Sequence, residues 1–329
     1  MKAKPTTIKD IAKQLEIHHS TVSRALNDHP DISSKTRKLV VDTAKDLDYK
    51  RNPAALVLRG DLPATLGVVV PDLRDRAISS ATAELGERST ASGLMTLMLQ
   101  SRDDVAGALA KLVAQPIAAG FIFVDHEIQE SDSLTETLDT GTKLISIGNT
   151  LPGFQGAQFI CTRRRRAELA TLHLINSGFR RIALLSDRSV TDGMTTGYKN
   201  VLLDNFAPFL AKLTVYDVND EARAMQATQA LMASPDKPDA IVCARAAAAV
   251  GAAKALAQIG VDVPGRVGII SLEETETCAA FAPALSAVAT PWREMMAAAF
   301  DLLADTDSIN STVIETYDPV LQPRESTRR

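Results

Sequence analysis

His19, Ser20, Ser23 and Arg24 are the first residues whose types and spacing suggest chemistry: they fall on one side of a single helical stretch, with Val22, Ala25 and Leu26 on the other. An Arg among short polar side chains is equipped to read nucleic acid. It takes guanine bidentately, Ser and His reach base edges or phosphates, and a lone helix fits a major groove. A first helix must position that surface. Thr7 and Asp10 match the pattern in which a hydroxyl caps the helix start and an acid sits at its positive end, so the helix should open at about Ile8. Ile8, Ile11, Ala12 and Leu15 repeat at helical spacing and Ile17 marks a buried turn, giving two short helices and a tight turn over Thr7 to Asn27. A third helix, capped by Ser33 and ending at Asp48-Tyr49, puts Thr36, Leu39, Val40, Ala44 and Leu47 on one side. So few apolar positions make a small head of marginal stability.

TIKDIAK, then STVSRALN, then Ser33-Ser34-Lys35-Thr36-Arg37 and Asp48-Tyr49, resembles the LacI/GalR family of bacterial transcription regulators almost position for position, and the likeness extends more loosely to the C-terminus. The resemblance implies base reading by His19, Ser20 and Arg24 and backbone contacts from Thr7, Thr21, Ser23, Lys35 and Arg37. It also implies a hinge in Arg51 to Gly60 that turns helical on DNA, with Asn52, Ala55 and Leu58 at the minor groove and Leu58 as a wedge that unstacks base pairs to bend the duplex. The plainer alternative is that Leu56 and Leu58 pack on the protein. Two departures stand out: the turn Gly usual in the family is Glu16, and the usual capping Ser of the second helix is His18. Glu16 implies either a turn that avoids positive φ or one that accepts strain. The partners implied are a palindromic double-stranded operator and a second copy of the chain, as a homodimer or tetramer.

At 329 residues the chain is long enough for two to three domains. Its net charge of −4 is unevenly spread: residues 1–60 hold 12 Lys and Arg against 7 Asp and Glu, leaving 24 against 33 for the rest. A basic head on an acidic body suits a domain that neutralises phosphates locally. Cys161, Cys243 and Cys278 lack metal or redox spacing and read as reduced core thiols. The N-terminus has no apolar signal core and no run reaches membrane-span length, so a cytoplasmic protein away from the membrane is expected. His18, His19, His29, His126 and His173 are scattered, with no triad, metal spacing or glycine-rich phosphate loop, which argues against an enzyme and for no metal or cofactor. A transporter's solute-binding protein would share the expected core but would need an export signal and would not carry the helix pair.

From Thr65 the pattern alternates buried strand runs with amphipathic helices. Strands are expected at 66–70, 94–99, 120–124 and 143–147, with helices near 76–92, 103–114 and 132–139. A second set places strands at 181–185, 213–216, 240–243 and 267–271 and helices near 163–177, 194–206, 220–233 and 246–259. Two such series imply two α/β lobes of helix-covered parallel sheet. The expected fold is therefore a small all-α helix-turn-helix head (1–50), a hinge (51–63) and a two-lobed periplasmic-binding-protein-like core (64–329). By the resemblance, lobe 1 comprises about 64–160 and 290–329, and lobe 2 about 161–289.

A small-molecule cleft is expected between the lobes, at the carboxyl ends of strands. Relatives that bind sugars or purines present acidic, amide, Arg and aromatic groups there, and this chain replaces most of them. Asp72 and Arg74 follow the first strand without an aromatic, Cys161 and Met194 stand where Asp and Arg are usual, and Arg245 and Glu273 occupy strand ends, with Arg163 beside them. The added guanidinium favours an anionic effector such as a sugar acid or sugar phosphate, held by Arg245 with Arg74 or Arg163. The alternative, of equal weight, is that Arg245 pairs with Glu273 and no small ligand binds. The run Arg163 to Arg166 opens a helix, where the macrodipole disfavours cations; it reads as a solvated face, with compensation by a bound anion or acidic neighbour as the alternative.

Overall fold

The computed structural model describes residues 8–26, 29, 31–47, 65–101, 107, 118, 120–126, 143–151, 153–154, 156–187, 193–304 and 313–329. The chain divides into two compact units, Met1–Pro63 and Ala64–Arg329. The helices expected near 103–114 and 132–139 fall outside the described residues, save Gly107.

In the first unit, α1 (Ile8–Gln14), α2 (His19–Leu26) and α3 (Ser34–Asp46) close on Ile11, Ala12, Val22, Ala25, Val40 and Ala44. Ser33 caps α3 as expected, its Oγ accepting from Thr36 N at 3.1 Å. Leu39, expected on the buried side, is 54% exposed, because the stripe that faces α1 and α2 runs through Val40, Thr43 and Ala44. The turn between α1 and α2 keeps left-handed geometry: Glu16 has φ 52°, with Ile17 N donating to Ala12 O at 3.1 Å just after it. Glu16 thus accepts the strain that a Gly would not feel.

In the second unit the first sheet has β1 (Thr65–Val70), β2 (Met95–Gln100), β3 (Gly120–Val124), β4 (Lys143–Gly148) and β5 (Ala157–Ile160) in the order β5-β4-β3-β1-β2, all parallel. Helix α4 (Arg76–Ala91) covers it and Leu66, Val68, Leu85, Ile122 and Ile145 fill its core. Gly67 leaves room for Phe121 on the neighbouring strand, whose ring stands 2.1 Å from where a Cβ would be. The second sheet is built from β6 (Ile182–Leu185), β7 (Thr214–Val215), β8 (Ala240–Cys243), β9 (Gly268–Ser271) and β10 (Ser286–Ala289) in the order β10-β9-β8-β6-β7. Helices α5 (Arg163–Asn176) and α6 (Gly193–Asp204) cover one face, and α7 (Glu221–Ala233) and α8 (Ala246–Gln258) the other.

The chain passes between the lobes three times. It enters lobe 2 after β5, returns after β10 into α9 (Trp292–Ala304) and β11 (Ile314–Thr316), and β11 extends the first sheet beside β5. The last passage corrects the expected boundary at 290–329: β12 (Val320–Gln322) pairs antiparallel with β10 in the second sheet. The tail is fixed there, with Ser326 Oγ donating to Ile269 O at 2.6 Å and Arg324 gripping Glu274 through two bonds of 2.6 and 2.8 Å. Likeness to a terminal strand does not say which sheet edge that strand will join.

Candidate functional site

On the head, α2 presents the expected surface. His19, Ser20 and Arg24 are exposed, Thr21 and Ser23 half-buried at its flanks, and Val22 and Ala25 buried beneath. His18 precedes the helix; its carbonyl accepts from Thr21 N at 2.9 Å, and its Nδ1 lies 2.8 Å from Ser20 Oγ. Lys35 is exposed at the start of α3. Arg37 is half-buried and donates to His29 O at 3.1 Å, so part of its bonding capacity is spent within the head. Thr7, Asn52, Ala55 and Leu58 lie outside the described residues.

In the core, the strand ends bring together a charged cluster that the sequence only partly indicates. Arg245 follows β8 and reaches across the cleft: Nη1 donates to Asp75 Oδ2 at 2.8 Å, Nε to Asp187 Oδ2 at 2.9 Å, and Glu273 Oε1 is 3.6 Å away. Asp75 immediately precedes α4 in lobe 1 whereas Asp187 and Glu273 follow β6 and β9 in lobe 2, so one guanidinium ties the lobes. Burial works against the charge of Arg245, but Glu273, Asp187 and Asp75 together outweigh it and hold the group charged. The reverse holds for Glu273. Burial, with Asp75 and Asp187 nearby, pushes its carboxyl up from the ordinary 4.5 to about 7, against the pull of Arg245 and of the Ala246 amide that donates to it at 3.1 Å.

The run Arg163 to Arg166 is not the solvated face expected. Arg163 and Arg166, three apart and so on one face of α5, are buried, while Arg164 and Arg165 stay outside and pair with Glu168. Thr162 caps the helix, and the carboxylate of Asp187, bonded to Arg163, offsets the unfavourable dipole. Arg166 Nη1 donates to Leu272 O at 3.4 Å and Nη2 stands 3.7 Å from Asp125 Oδ1, but Nε and Nη2 make no hydrogen bond among the described residues. Asp125, after β3, holds a left-handed φ of 51° and accepts from Asn149 Nδ2 at 2.9 Å; such backbone strain often marks a functional site.

These groups border a cleft pocket of about 580 Å³ lined by Asp75, Asp125, Arg166, Glu273, Thr290 and Trp292 among others, next to a second of about 640 Å³ reached by Asp72, Arg74, Asp220 and Arg245. The expected cleft residues divide. Arg245, Glu273 and Asp72 are at the cleft. Arg74 lies on its rim, exposed, folded back on Asp72 through bonds of 3.0 and 2.9 Å. Arg163 is sealed against Asp187. Cys161 and Met194 are fully buried in apolar cores, and burial pushes the Cys161 thiol up. Arg245, Arg74 and Arg163, expected to hold an anion, each already sit on a carboxylate. Asp75, Asp125, Asn149, Arg166 and Asp187 were missed. The signal for Asp125 and Asp187 was present, since Asp125 directly follows a buried strand run and Asp187 comes two residues after one, the position where open α/β sheets present binding groups. Arg166 carried no such signal.

The sequence matches a model of bacterial regulatory proteins, lacI family, over residues 7–52 and a periplasmic binding protein-like domain over residues 171–327. It is 27% identical to the HTH-type transcriptional regulator GalR of Escherichia coli over 97% of this chain and 95% of that protein. The fold is similar to that of a chain in the crystal structure of the lac repressor dimer bound to operator and the anti-inducer ONPF, at 21% identity and a TM-score of 0.83 over 98% of this chain and 99% of that one. A complex of the transcriptional regulator CelR with cellobiose is similar at 21% identity and a TM-score of 0.68, over 98% and 99% of the two chains.

Proposed function

This chain belongs to the LacI family of bacterial regulatory proteins as a DNA-binding transcriptional regulator, and we propose that it represses by binding a palindromic operator in the cytoplasm as a homodimer or tetramer. His19, Ser20 and Arg24 read bases, Thr7, Thr21, Ser23, Lys35 and Arg37 hold the backbone, and residues 51–63 form the hinge, with Leu58 wedging the minor groove beside Asn52 and Ala55. A small-molecule effector between the lobes changes the angle between them, and with it the spacing of the two hinges and the grip on DNA.

Arg166 is the observation that supports an effector and suggests its class. A buried guanidinium with two nitrogens unsatisfied among the described residues is costly, and it lines the pocket where a ligand's oxygens would reach it. Arg binds carboxylate and phosphate through its planar fork, while Asp125 and Glu273 can accept from sugar hydroxyls. The effector is accordingly a sugar acid or sugar phosphate, anchored at Arg166. Melting the full chain with sugar acids, sugar phosphates and neutral sugars tests this: the acidic compounds raise the melting temperature and Arg166→Met removes the rise. Stabilisation by neutral sugars alone would overturn the anionic class. A second reading, a regulator with no effector, is favoured by the Arg245–Asp75 bond, which closes the cleft unaided. It is the reading left if no compound of the three classes shifts the melt.

A further inference from the structure

In the turn before α2, His18 makes two contacts through one nitrogen: Nδ1 lies 2.8 Å from Ser20 Oγ, and the Ser20 backbone N–H points at the same atom from 3.4 Å. A ring nitrogen that receives an amide N–H presents its lone pair, which places the ring proton on Nε2. The short contact is then the Ser20 hydroxyl donating to His18. A serine hydroxyl has one proton and two lone pairs. With that proton turned inward, Oγ offers only lone pairs to whatever lies over the exposed face of α2. The same imidazole packs against the next reading residue, its centroid 4.1 Å from that of the His19 ring at an interplanar angle of 42°.

We propose that His18 is a positioning residue that sets the base preference of the reading helix, holding Ser20 as an acceptor-only reader and bracing His19 beside it. In the major groove an acceptor-only hydroxyl selects the exocyclic amino groups, adenine N6 or cytosine N4, over the keto oxygens of guanine O6 and thymine O4. A serine free to rotate can donate or accept and separates the two sets poorly. The substitution of His for the usual capping Ser therefore bears on specificity as well as on the helix start, where an Nδ1 acceptor takes over the capping work. The inference rests on Ser20 being a base reader, and the test separates the two claims.

The full-length protein, wild type and with His18→Ser, Ser20→Ala or both, is compared by competition binding against operators changed one base pair at a time. Serine at 18 keeps a capping oxygen, so the head stays folded; a melting curve checks this, and His18→Thr is the second capping variant. At one base pair the wild type prefers an amino-bearing base by about tenfold. His18→Ser reduces that preference to about twofold or less while leaving the ranking at the position read by Arg24 unchanged, and Ser20→Ala flattens the same base pair in either background. A wild-type preference for a keto base there, an unchanged preference in His18→Ser, or an equal loss of affinity for every operator overturns the inference; the last is what a merely structural cap would produce. Should Ser20→Ala alter no position, the base-reading role of Ser20 fails and this inference with it. Should Ser20→Ala flatten a position that His18→Ser leaves intact, only the role of His18 fails.

Discussion

Glu273→Gln should stabilise the core, and by an amount that grows with pH. The carboxyl of Glu273 is pushed to about 7 in the folded protein against an ordinary 4.5, by burial and by the neighbouring Asp75. Below 4.5 it is protonated whether the chain is folded or not, and it costs nothing. Between 4.5 and 7 the unfolded chain has released its proton and the folded chain holds it, so each pH unit costs about 1.4 kcal/mol of stability. Above 7 the cost is complete, at about 3 kcal/mol for the full window. Glutamine does not titrate, and its side-chain oxygen can still accept the Ala246 amide now bonded to Glu273 at 3.1 Å. The variant and the wild type should therefore melt together near pH 4.5 and diverge above it, reaching a difference of roughly 6–12 °C at pH 8, taking about 2–4 °C per kcal/mol for a domain of this size. The assay is the core melting transition of both proteins in matched buffers from pH 4.5 to 8. A gap that stays constant across that range would refute the reasoning, because a packing change has no reason to follow the titration of one carboxyl.

Arg245→Met removes the cation that Asp75 and Asp187 share at 2.8 and 2.9 Å, leaving buried carboxylates facing each other across the cleft. It should cost the core about 3–5 kcal/mol and enlarge the radius of gyration by small-angle scattering; an unchanged radius would mean that the bond does not tie the lobes. Glu16→Gly relieves a φ of 52° in the head and should stabilise it by about 1 kcal/mol, visible as delayed melting of the helical signal from the head, with a lower melting point counting against the strain argument. Arg24→Ala should change the ranking of operator variants, at roughly 1–3 kcal/mol for a bidentate base contact. Lys35→Ala should instead weaken all operators alike and lower the salt slope; an unchanged ranking for Arg24→Ala would remove Arg24 from the base readers.

Much of this molecule is legible without coordinates wherever neighbours in sequence are also neighbours in space. The apolar positions of α1 and α2, the Ser33 cap and the buried strands β1, β3, β4, β6, β8 and β9 follow from helical and strand periodicity together with capping chemistry. The reading face of α2 follows in the same way, since a short helix that buries Val22 and Ala25 must expose His19, Ser20 and Arg24. β5 and β10 place Gln158 and Ser286 within or at the start of their short apolar runs, so the pattern does not pick them out, and the third passage of the chain depends on which sheet edge is open.

The cleft shows the limit most clearly. Sequence alone determined that a head with a nucleic-acid-reading helix precedes two α/β lobes with a pocket at their strand ends, because propensity, periodicity and capping act over a few residues. Only the tertiary structure decided the state of each charge in that pocket. Helical spacing puts Arg163 and Arg166 on one face, but whether that face meets water or Asp187 and Asp125 depends on strands that arrive 24 residues later and 41 residues earlier in the chain. The same holds for Arg245, whose lobe-1 partner Asp75 is 170 residues away. A charge is set by burial and by the groups within a few ångströms, and those are fixed only once the sheets are assembled.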